Sequence, residues 1–190
     1  METASKSVGL TYDDLLRLPD DRMRHELIGG EHHVSPAPSR KHQRVATNVH
    51  GLLFIYLREH RLGRVYSAPL DVVFTQSNVV EPDVLYVSRE REERQATERN
   101  LGGAPDLVVE VLSPSTRRVD EGAKHRLYER FGVPEYWVID PELEIVKVYR
   151  LEGGRLELEL ELRSGEGTAA QILSTPLLPG LAIPVHEIFD

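Results

Sequence analysis

The chain has 190 residues, 40% hydrophobic and 28% charged, which is typical of a soluble globular protein with a substantial core. It contains no cysteine, so disulfides and thiolate metal sites are excluded. Its net charge of −8 argues against a protein that coats nucleic acid nonspecifically. Residues 1–9 lack the apolar core of a signal peptide, and no apolar stretch is long enough to cross a membrane. We therefore expect one cytoplasmic domain over residues 1–190, with no membrane partner.

The first third of the chain predicts a hairpin followed by a long amphipathic helix. Residues 24–35 form two short strand patterns around Gly29-Gly30, which is a hairpin signal. From about Ser39 to His60, apolar residues recur with helical period at Val45, Val49, Leu52, Leu53, Tyr56 and Leu57. The opposite side of this helix carries three arginines, Arg40, Arg44 and Arg58. Most such faces are simply solvated, and a histidine at a helix start is usually just exposed. These arginines, with His42, are nevertheless candidates for contact with nucleic-acid phosphates.

The middle of the chain predicts strands separated by a turn and a charged segment. Residues 64–75 and 79–88 have the composition of two consecutive strands, joined by a turn at 76–78. The highly charged residues 89–99 predict a loop or an exposed helix.

A strand–helix–strand pattern then defines the fold class. Residues 107–112 predict a buried strand, 120–131 a helix and 135–140 another strand. Residues 145–163 predict a C-terminal β-hairpin, and residues 172–189 an irregular cover over the core. This order predicts an α/β (α+β) fold with a mixed sheet flanked by helices.

Glu110 interrupts the apolar run of 107–112. An ionised carboxylate in a strand buried on both faces is costly unless it is paired, hydrogen-bonded or bound to a metal. Asp83 follows Pro82 and precedes an apolar strand, so we expect it at a strand end. If the two strands are neighbours, Asp83 and Glu110 form a carboxylate pair that suits Mg²⁺. The alternative is a structural carboxylate satisfied by arginine side chains or backbone N–H groups.

Lys124 is a candidate for the cation that a phosphodiester-cleaving site needs. The chain has only four lysines, and this one lies on the helix after the Glu110 strand, one turn before Tyr128. It could orient the attacking water or stabilise the transition state. Alternatively, a lysine at the margin of an inner helix face extends its ammonium group outward to solvent.

Several motifs resemble those of the Uma family of bacterial endonucleases. They are "PDV" at 82–84, "PDLVVEVLSPST" at 105–116, the spacing of Asp120, Lys124 and Tyr128, and "GVPEYWVIDP" at 132–141. "HELIGGE" at 25–31, "SPAPSRKHQ" at 35–43 and "LLPGLAIPVHEIF" near the end also match. The resemblance covers nearly the whole chain.

The resemblance implies the PD-(D/E)XK, restriction-endonuclease-like fold, with a mixed central sheet flanked by helices and a site at strand ends. By position, Asp83 and Glu110 would be catalytic metal ligands for Mg²⁺, with Mn²⁺ as a substitute. Leu112 stands where the motif has lysine, and Lys124 would replace that lysine from the next helix. Glu26 would be an accessory catalytic acid. A homodimer is also implied.

These observations predict a Mg²⁺-dependent endonuclease that hydrolyses DNA phosphodiester bonds. Two alternatives stay open. One is a non-catalytic DNA-binding or protein-interaction module that keeps the fold, which the displaced lysine and the acidic net charge allow. The other is a metal-dependent hydrolase of small phosphate esters.

Overall fold

The structure is a computed structural model that describes residues 9–165 and 171–190. The helices are α1 Tyr12–Leu15, α2 Arg40–His60, α3 Arg89–Gln95, a π-helical segment Val119–Lys124 continuing into α4 His125–Phe131, and α5 His186–Phe189. The strands are β1 Arg24–Ile28, β2 Glu31–Ser35, β3 Gly63–Ser67, β4 Asp71–Thr75, β5 Asn78–Val80, β6 Val84–Ser88, β7 Asn100–Leu101, β8 Leu107–Val111, β9 Glu135–Asp140, β10 Ile145–Glu152, β11 Arg155–Arg163, β12 Ile172–Leu173 and β13 Ile183–Pro184. None of the described helices is long and apolar enough to cross a bilayer.

A six-stranded mixed sheet forms the centre of the protein. Its strand order is β11-β10-β9-β8-β6-β3. β8 and β9 run parallel and are joined through the helical segment between them, which confirms the predicted strand–helix–strand unit. The other neighbours are antiparallel, and the predicted hairpin of β10 and β11 lies at one edge. The fold is therefore α+β, with a mixed central sheet flanked by helices, as expected.

A second sheet of five strands, in the order β2-β1-β5-β4-β7, holds the predicted N-terminal hairpin. The prediction of continuous strands over 64–75 and 79–88 is wrong, because each is divided between the two sheets. β3 pairs with β6 in the central sheet, whereas β4 pairs with β5 in the second sheet. The interruptions fall at Pro69 and Pro82. Proline cannot donate a ladder hydrogen bond, so the chain can leave one sheet and join another there.

Helix α2 covers one face of the central sheet, and its bounds confirm the predicted helix. The Ser39 side chain caps it by accepting the backbone N–H of His42 at 3.2 Å. Its apolar side packs on the sheet together with the C-terminal segment. That segment was predicted to be irregular. Instead it contains the β12–β13 ladder and α5, and Asn48 of α2 donates to the carbonyl oxygens of Ile188 and Asp190.

The opposite face of the central sheet packs against α4 and the second sheet. Residues of β8 alternate between the faces: Val109 packs on the α2 side, and Val108 and Leu112 on the α4 side. Glu110 has the parity of Val108 and therefore points toward α4. The helical segment begins before the predicted residue 120, because the Arg117 N–H already donates to the Ser113 carbonyl at 3.0 Å. Helix α3 buries none of its residues, which confirms the exposed-helix alternative for 89–99.

Candidate functional site

Glu110 is buried in the interior and bonded to two side chains of the following helix. Its side chain is 1% exposed. Its Oε1 accepts a hydrogen bond from the Lys124 ammonium group at 3.0 Å and another from the Tyr128 hydroxyl at 2.6 Å. Lys124 and Tyr128 are four residues apart, so they lie on the same side of the helix, one turn from each other. Glu110, the acid within the apolar strand, is thus paired and hydrogen-bonded rather than isolated.

Lys124 is the centre of a cluster of three carboxylates. Its Nζ lies 2.9 Å from Glu26 Oε1, 3.0 Å from Glu110 Oε1 and 3.5 Å from Asp120 Oδ1. The lysine side chain is 2% exposed, so the alternative that it extends outward to solvent is wrong. Glu26 comes from β1, where its Oε1 also accepts the backbone N–H of Glu81 at 2.9 Å. The second sheet and the helix therefore supply groups to one point beside the central sheet.

Asp83 lies where the chain enters β6, directly before its first residue, and has three donors. Oδ1 accepts from Arg24 at 2.9 Å, and Oδ2 accepts from the backbone N–H of Val111 at 2.8 Å. His42 Nε2 lies 3.1 Å from the same Oδ2. Val84 pairs with Val109 in the antiparallel ladder, so one step further places Asp83 opposite Glu110. The expected convergence of the two acids from neighbouring strands is thus present in the fold.

His42 is buried, so the ordinary expectation of an exposed histidine at the helix start is wrong. It lies three residues before Val45 and so belongs to the buried side of α2, which turns its ring toward Asp83. The three arginines of the predicted nucleic-acid face, Arg40, Arg44 and Arg58, are exposed. Their contact with DNA stays a prediction.

The environments of Asp83 and Glu110 shift their pKa values in opposite directions. Burial disfavours the Asp83 anion, but hydrogen bonding from His42 and the charge of Arg24 outweigh it and lower the pKa to about 2. For Glu110, burial raises the pKa most. The attraction of Lys124 opposes this, but Asp120, Asp83 and Glu26 add to the rise, and the pKa is about 8. Near neutral pH Asp83 is therefore ionised, and Glu110 holds a proton.

Lys124 stays protonated. Burial alone would lower its pKa, but attraction to Glu110, Glu26 and Asp120 raises the pKa well above the ordinary value. Burial also raises the pKa of Asp120, although Lys124 opposes the effect. The lysine is therefore a permanent cation and not a proton acceptor at physiological pH.

The carboxylate oxygens of the cluster are the ligands that a hard divalent cation prefers, but as they stand they are not arranged to bind one. Four carboxylates, those of Glu26, Asp83, Glu110 and Asp120, face the permanent cations Lys124 and Arg24. Asp120 Oδ1 is buried and has no hydrogen-bond partner among the described residues. In the described part of the chain, no three His, Asp or Glu side chains are arranged to hold a metal ion as they stand. The physical reason is that the Lys124 ammonium lies between the carboxylates and Arg24 occupies one oxygen of Asp83.

A cavity of about 380 Å³ lies near Asp83, which does not itself line it. Arg24 and His42, both in contact with Asp83, form part of its lining, and the Ser113–Thr116 turn forms another part. A larger cavity of about 520 Å³ lies at the other end of β6, around Arg61 and Arg89. The smaller cavity is the relevant one, because it alone of the two borders a residue that touches the acidic cluster.

Sequence reasoning did not assign three residues of this cluster to the site: Arg24, Asp120 and Tyr128. Two signals could have found them. Arg24 is two residues before Glu26 on β1, so both side chains emerge on one face of the strand. Asp120, Lys124 and Tyr128 follow a four-residue spacing that brings side chains together on one helix face.

Comparison with known proteins gives the following matches. The family model described as "Uma2: Putative restriction endonuclease" matches residues 12–186. Among solved structures, the chain is similar to "a putative nuclease belonging to DUF820" from Anabaena variabilis ATCC 29413. The two are 22% identical, with a TM-score of 0.74, over 95% of this chain and 97% of that chain. No curated protein matches. The structural similarity establishes a shared fold.

Proposed function

The chain belongs to the Uma2 family, and from that premise we propose that it is a Mg²⁺-dependent endonuclease of PD-(D/E)XK type that hydrolyses DNA phosphodiester bonds. In the proposed assignment, Asp83 and Glu110 hold the metal ion, Glu26 supports it, and Lys124 is the catalytic cation. Mn²⁺ would substitute for Mg²⁺, since both accept carboxylate and water oxygens.

The observation that carries the proposal is the contact between Lys124 Nζ and Glu110 Oε1 at 3.0 Å. The motif places its lysine two residues after the second acid, where this chain has Leu112. Lys124 brings an ammonium group to Glu110 from the next helix. This contact supports the proposal that the combination of two acids and a lysine is kept in space, with the lysine displaced in the sequence.

Each side chain of the cluster has a role that follows from its charge state. A bound divalent cation would lower the pKa of a water ligand and offset charge on the phosphate. Because Lys124 stays protonated, it would donate a hydrogen bond to the attacking water or to a phosphoryl oxygen, and it would not accept the proton. Tyr128 and Asp120 hold the lysine and Glu110 in place. Ionised Asp83 is ready to bind a cation without losing a proton.

Nicking of supercoiled plasmid in Mg²⁺ or Mn²⁺ tests this assignment. Asp83→Asn, Glu110→Gln and Lys124→Met should each reduce nicking by on the order of 100-fold or more, because each removes a group that would hold the metal ion or offset charge in the transition state. Glu157→Gln is the matched control, since Glu157 is an exposed acid on β11, and it should cleave at the wild-type rate. Equal cleavage by all four variants, purified in parallel, would refute the catalytic assignment.

One observation favours the non-catalytic alternative. Asp83 already receives hydrogen bonds from Arg24 and the Val111 N–H and pairs with His42, so all of these donors compete with a metal ion. DNA binding with no cleavage in either metal would support that alternative. A chromogenic phosphodiester cleaved when DNA is not would instead identify a small-ester hydrolase.

The proposed DNA partner would contact the exposed side of α2. A variant in which Arg40, Arg44 and Arg58 are all replaced by glutamine should bind DNA more weakly and with less salt dependence. The reason is that each arginine that contacts a phosphate releases counterions. The proposed homodimer can be tested by sedimentation equilibrium, where a monomeric mass at all concentrations would refute it.

A further inference from the structure

The 380 Å³ cavity beside Asp83 is bordered by the start of α2 and the Ser113–Thr116 turn, and neither border is explained by the metal cluster. From its lining we infer that this cavity binds a phosphate group of a nucleic-acid strand. That the phosphate belongs to a nucleic acid rests on the proposed nuclease function. The binding of a phosphate rests on the features that follow.

Hydroxyl groups line the cavity on both borders. Ser39, Ser113, Ser115 and Thr116 all contribute. Ser113 Oγ lies 3.0 Å from Ser115 Oγ and 2.9 Å from Thr116 Oγ1, so the three hydroxyls of the turn form a compact group. A hydroxyl can donate to a phosphate oxygen while it accepts from a neighbour. The turn thus offers several donors within a short distance of each other.

The cavity also has a positive lining. Helix α2 has 21 residues and begins here, with the positive end of its dipole; of its first N–H groups, that of His42 is already bonded to Ser39 Oγ. Arg24 and Arg117 are part of the lining. Arg24 is bonded to the carboxylate of Asp83, and Arg117 to that of Asp140, with Glu121 at 3.9 Å. Because a guanidinium group has five N–H donors, each arginine retains donors beyond these contacts. The acid in the lining, Glu142, is paired with Lys41 at 3.1 Å.

His42 supplies an independent indication that the cavity accepts a polar ligand. His42 is 6% exposed and lines the cavity, and its Nε2 lies 3.1 Å from Asp83 Oδ2. Its Nδ1 is buried and has no hydrogen-bond partner among the described residues. A buried polar atom without a partner costs free energy, which a phosphate group with its water shell would recover. The same ring would then connect the bound phosphate to the carboxylate of Asp83.

A phosphate in this position would place a strand next to the proposed metal ligands. The ring of His42 separates the cavity from Asp83 by a single side chain. Base contacts are not required, because hydroxyls, guanidinium groups and helix N-termini recognise phosphate without regard to sequence. The cavity would therefore fix the position of the strand and leave sequence recognition to other surfaces.

Fluorescence anisotropy with a labelled single-stranded oligonucleotide in EDTA tests the inference without cleavage. Ser115 is exposed, so Ser115→Glu should fold, and its negative charge should weaken binding on the order of tenfold. Ser174→Glu is the matched control at an exposed serine that does not line the cavity, and it should bind like the wild type. Arg117→Gln provides a second variant, with weaker binding of a few fold. Equal affinities for Ser115→Glu and Ser174→Glu would overturn the inference.

Two further arms identify the source of the phosphate. If the bound phosphate belongs to a strand, 5′-phosphorylated and 5′-hydroxyl oligonucleotides should bind equally, and millimolar inorganic phosphate should compete little. Full competition by inorganic phosphate, lost in Ser115→Glu, would show a site for free phosphate and overturn the strand assignment. Since the assay contains no metal, binding can succeed when plasmid nicking fails, and the two proposals fail separately.

Discussion

Replacing Lys124 with methionine is the sharpest test of the buried cluster. The change removes one charge at nearly constant side-chain length and leaves Glu26, Glu110 and Asp120 facing one another. Lys124 Nζ makes contacts of 2.9 and 3.0 Å to the first two. At an effective dielectric constant of about 20, a contact at this distance between two full charges is worth roughly 5 kcal/mol before desolvation is subtracted, and the Glu110 contact approaches that value only as Glu110 ionises.

The net loss of stability is smaller than the sum of these contacts. Burying an ammonium group costs several kcal/mol, and a carboxylate that loses its partner can take up a proton. We therefore expect Lys124→Met to lower the free energy of unfolding by about 3–5 kcal/mol near pH 8. The loss of stability should shrink toward pH 5. Glu110 and Asp120, whose pKa values are raised, become protonated there, which removes the repulsion between them.

Urea denaturation provides the measurement. Trp137, the single tryptophan, is fully buried and reports unfolding by fluorescence. Lys147→Met is the matched control, because Lys147 is partly exposed and lies 3.7 Å from Glu121, where an ion pair contributes at most about 1 kcal/mol. A loss of less than 1 kcal/mol for Lys124→Met, or a loss that does not change with pH, would refute the role assigned to this lysine.

Three other substitutions test neighbouring features by the same urea assay. Folding raises the pKa of Glu110 from 4.5 to about 8, so its ionisation costs the wild type up to about 5 kcal/mol as pH rises from about 5 to about 8. Glu110→Gln removes that cost, and parallel pH profiles for the two proteins would contradict the shift. Tyr128→Phe removes the donor 2.6 Å from Glu110 and should cost about 1.5–3 kcal/mol; an unchanged stability would show that this bond is not formed. Gly63→Ala would place a Cβ 2.0 Å from the Val87 carbonyl oxygen and should cost at least about 1–3 kcal/mol. The control Gly51→Ala, with open space in α2, should stabilise by about 0.5–1 kcal/mol, and equal effects at both glycines would refute the steric argument.

The local sequence pattern was sufficient to predict the elements whose residues pair with others close by in the chain. The helix over 39–60, the N-terminal hairpin and the C-terminal hairpin all lie where periodicity and turn residues predicted them. The failures occur where the partner of a segment is distant in the chain. Nothing in residues 64–75 or 79–88 tells which half of each segment pairs in the central sheet and which half in the second sheet.

The acidic cluster, too, was predictable from the sequence in its residues but not in its arrangement. Glu110 was marked by its cost in an apolar strand, Asp83 by its place after a proline, and Lys124 by its place on the next helix. Their arrangement required the antiparallel pairing of β6 with β8 and the packing of the helix across that pair.

The sequence by itself determined the long helix α2, the two predicted hairpins and which acid could not be left unpaired, because period and burial cost are properties of short stretches. Only the tertiary structure decided that Lys124 points inward, that Arg24 and His42 meet at Asp83, and that a cavity opens beside them. Those outcomes depend on long-range pairing. A side chain turns inward only when groups from other strands are present to compensate its charge.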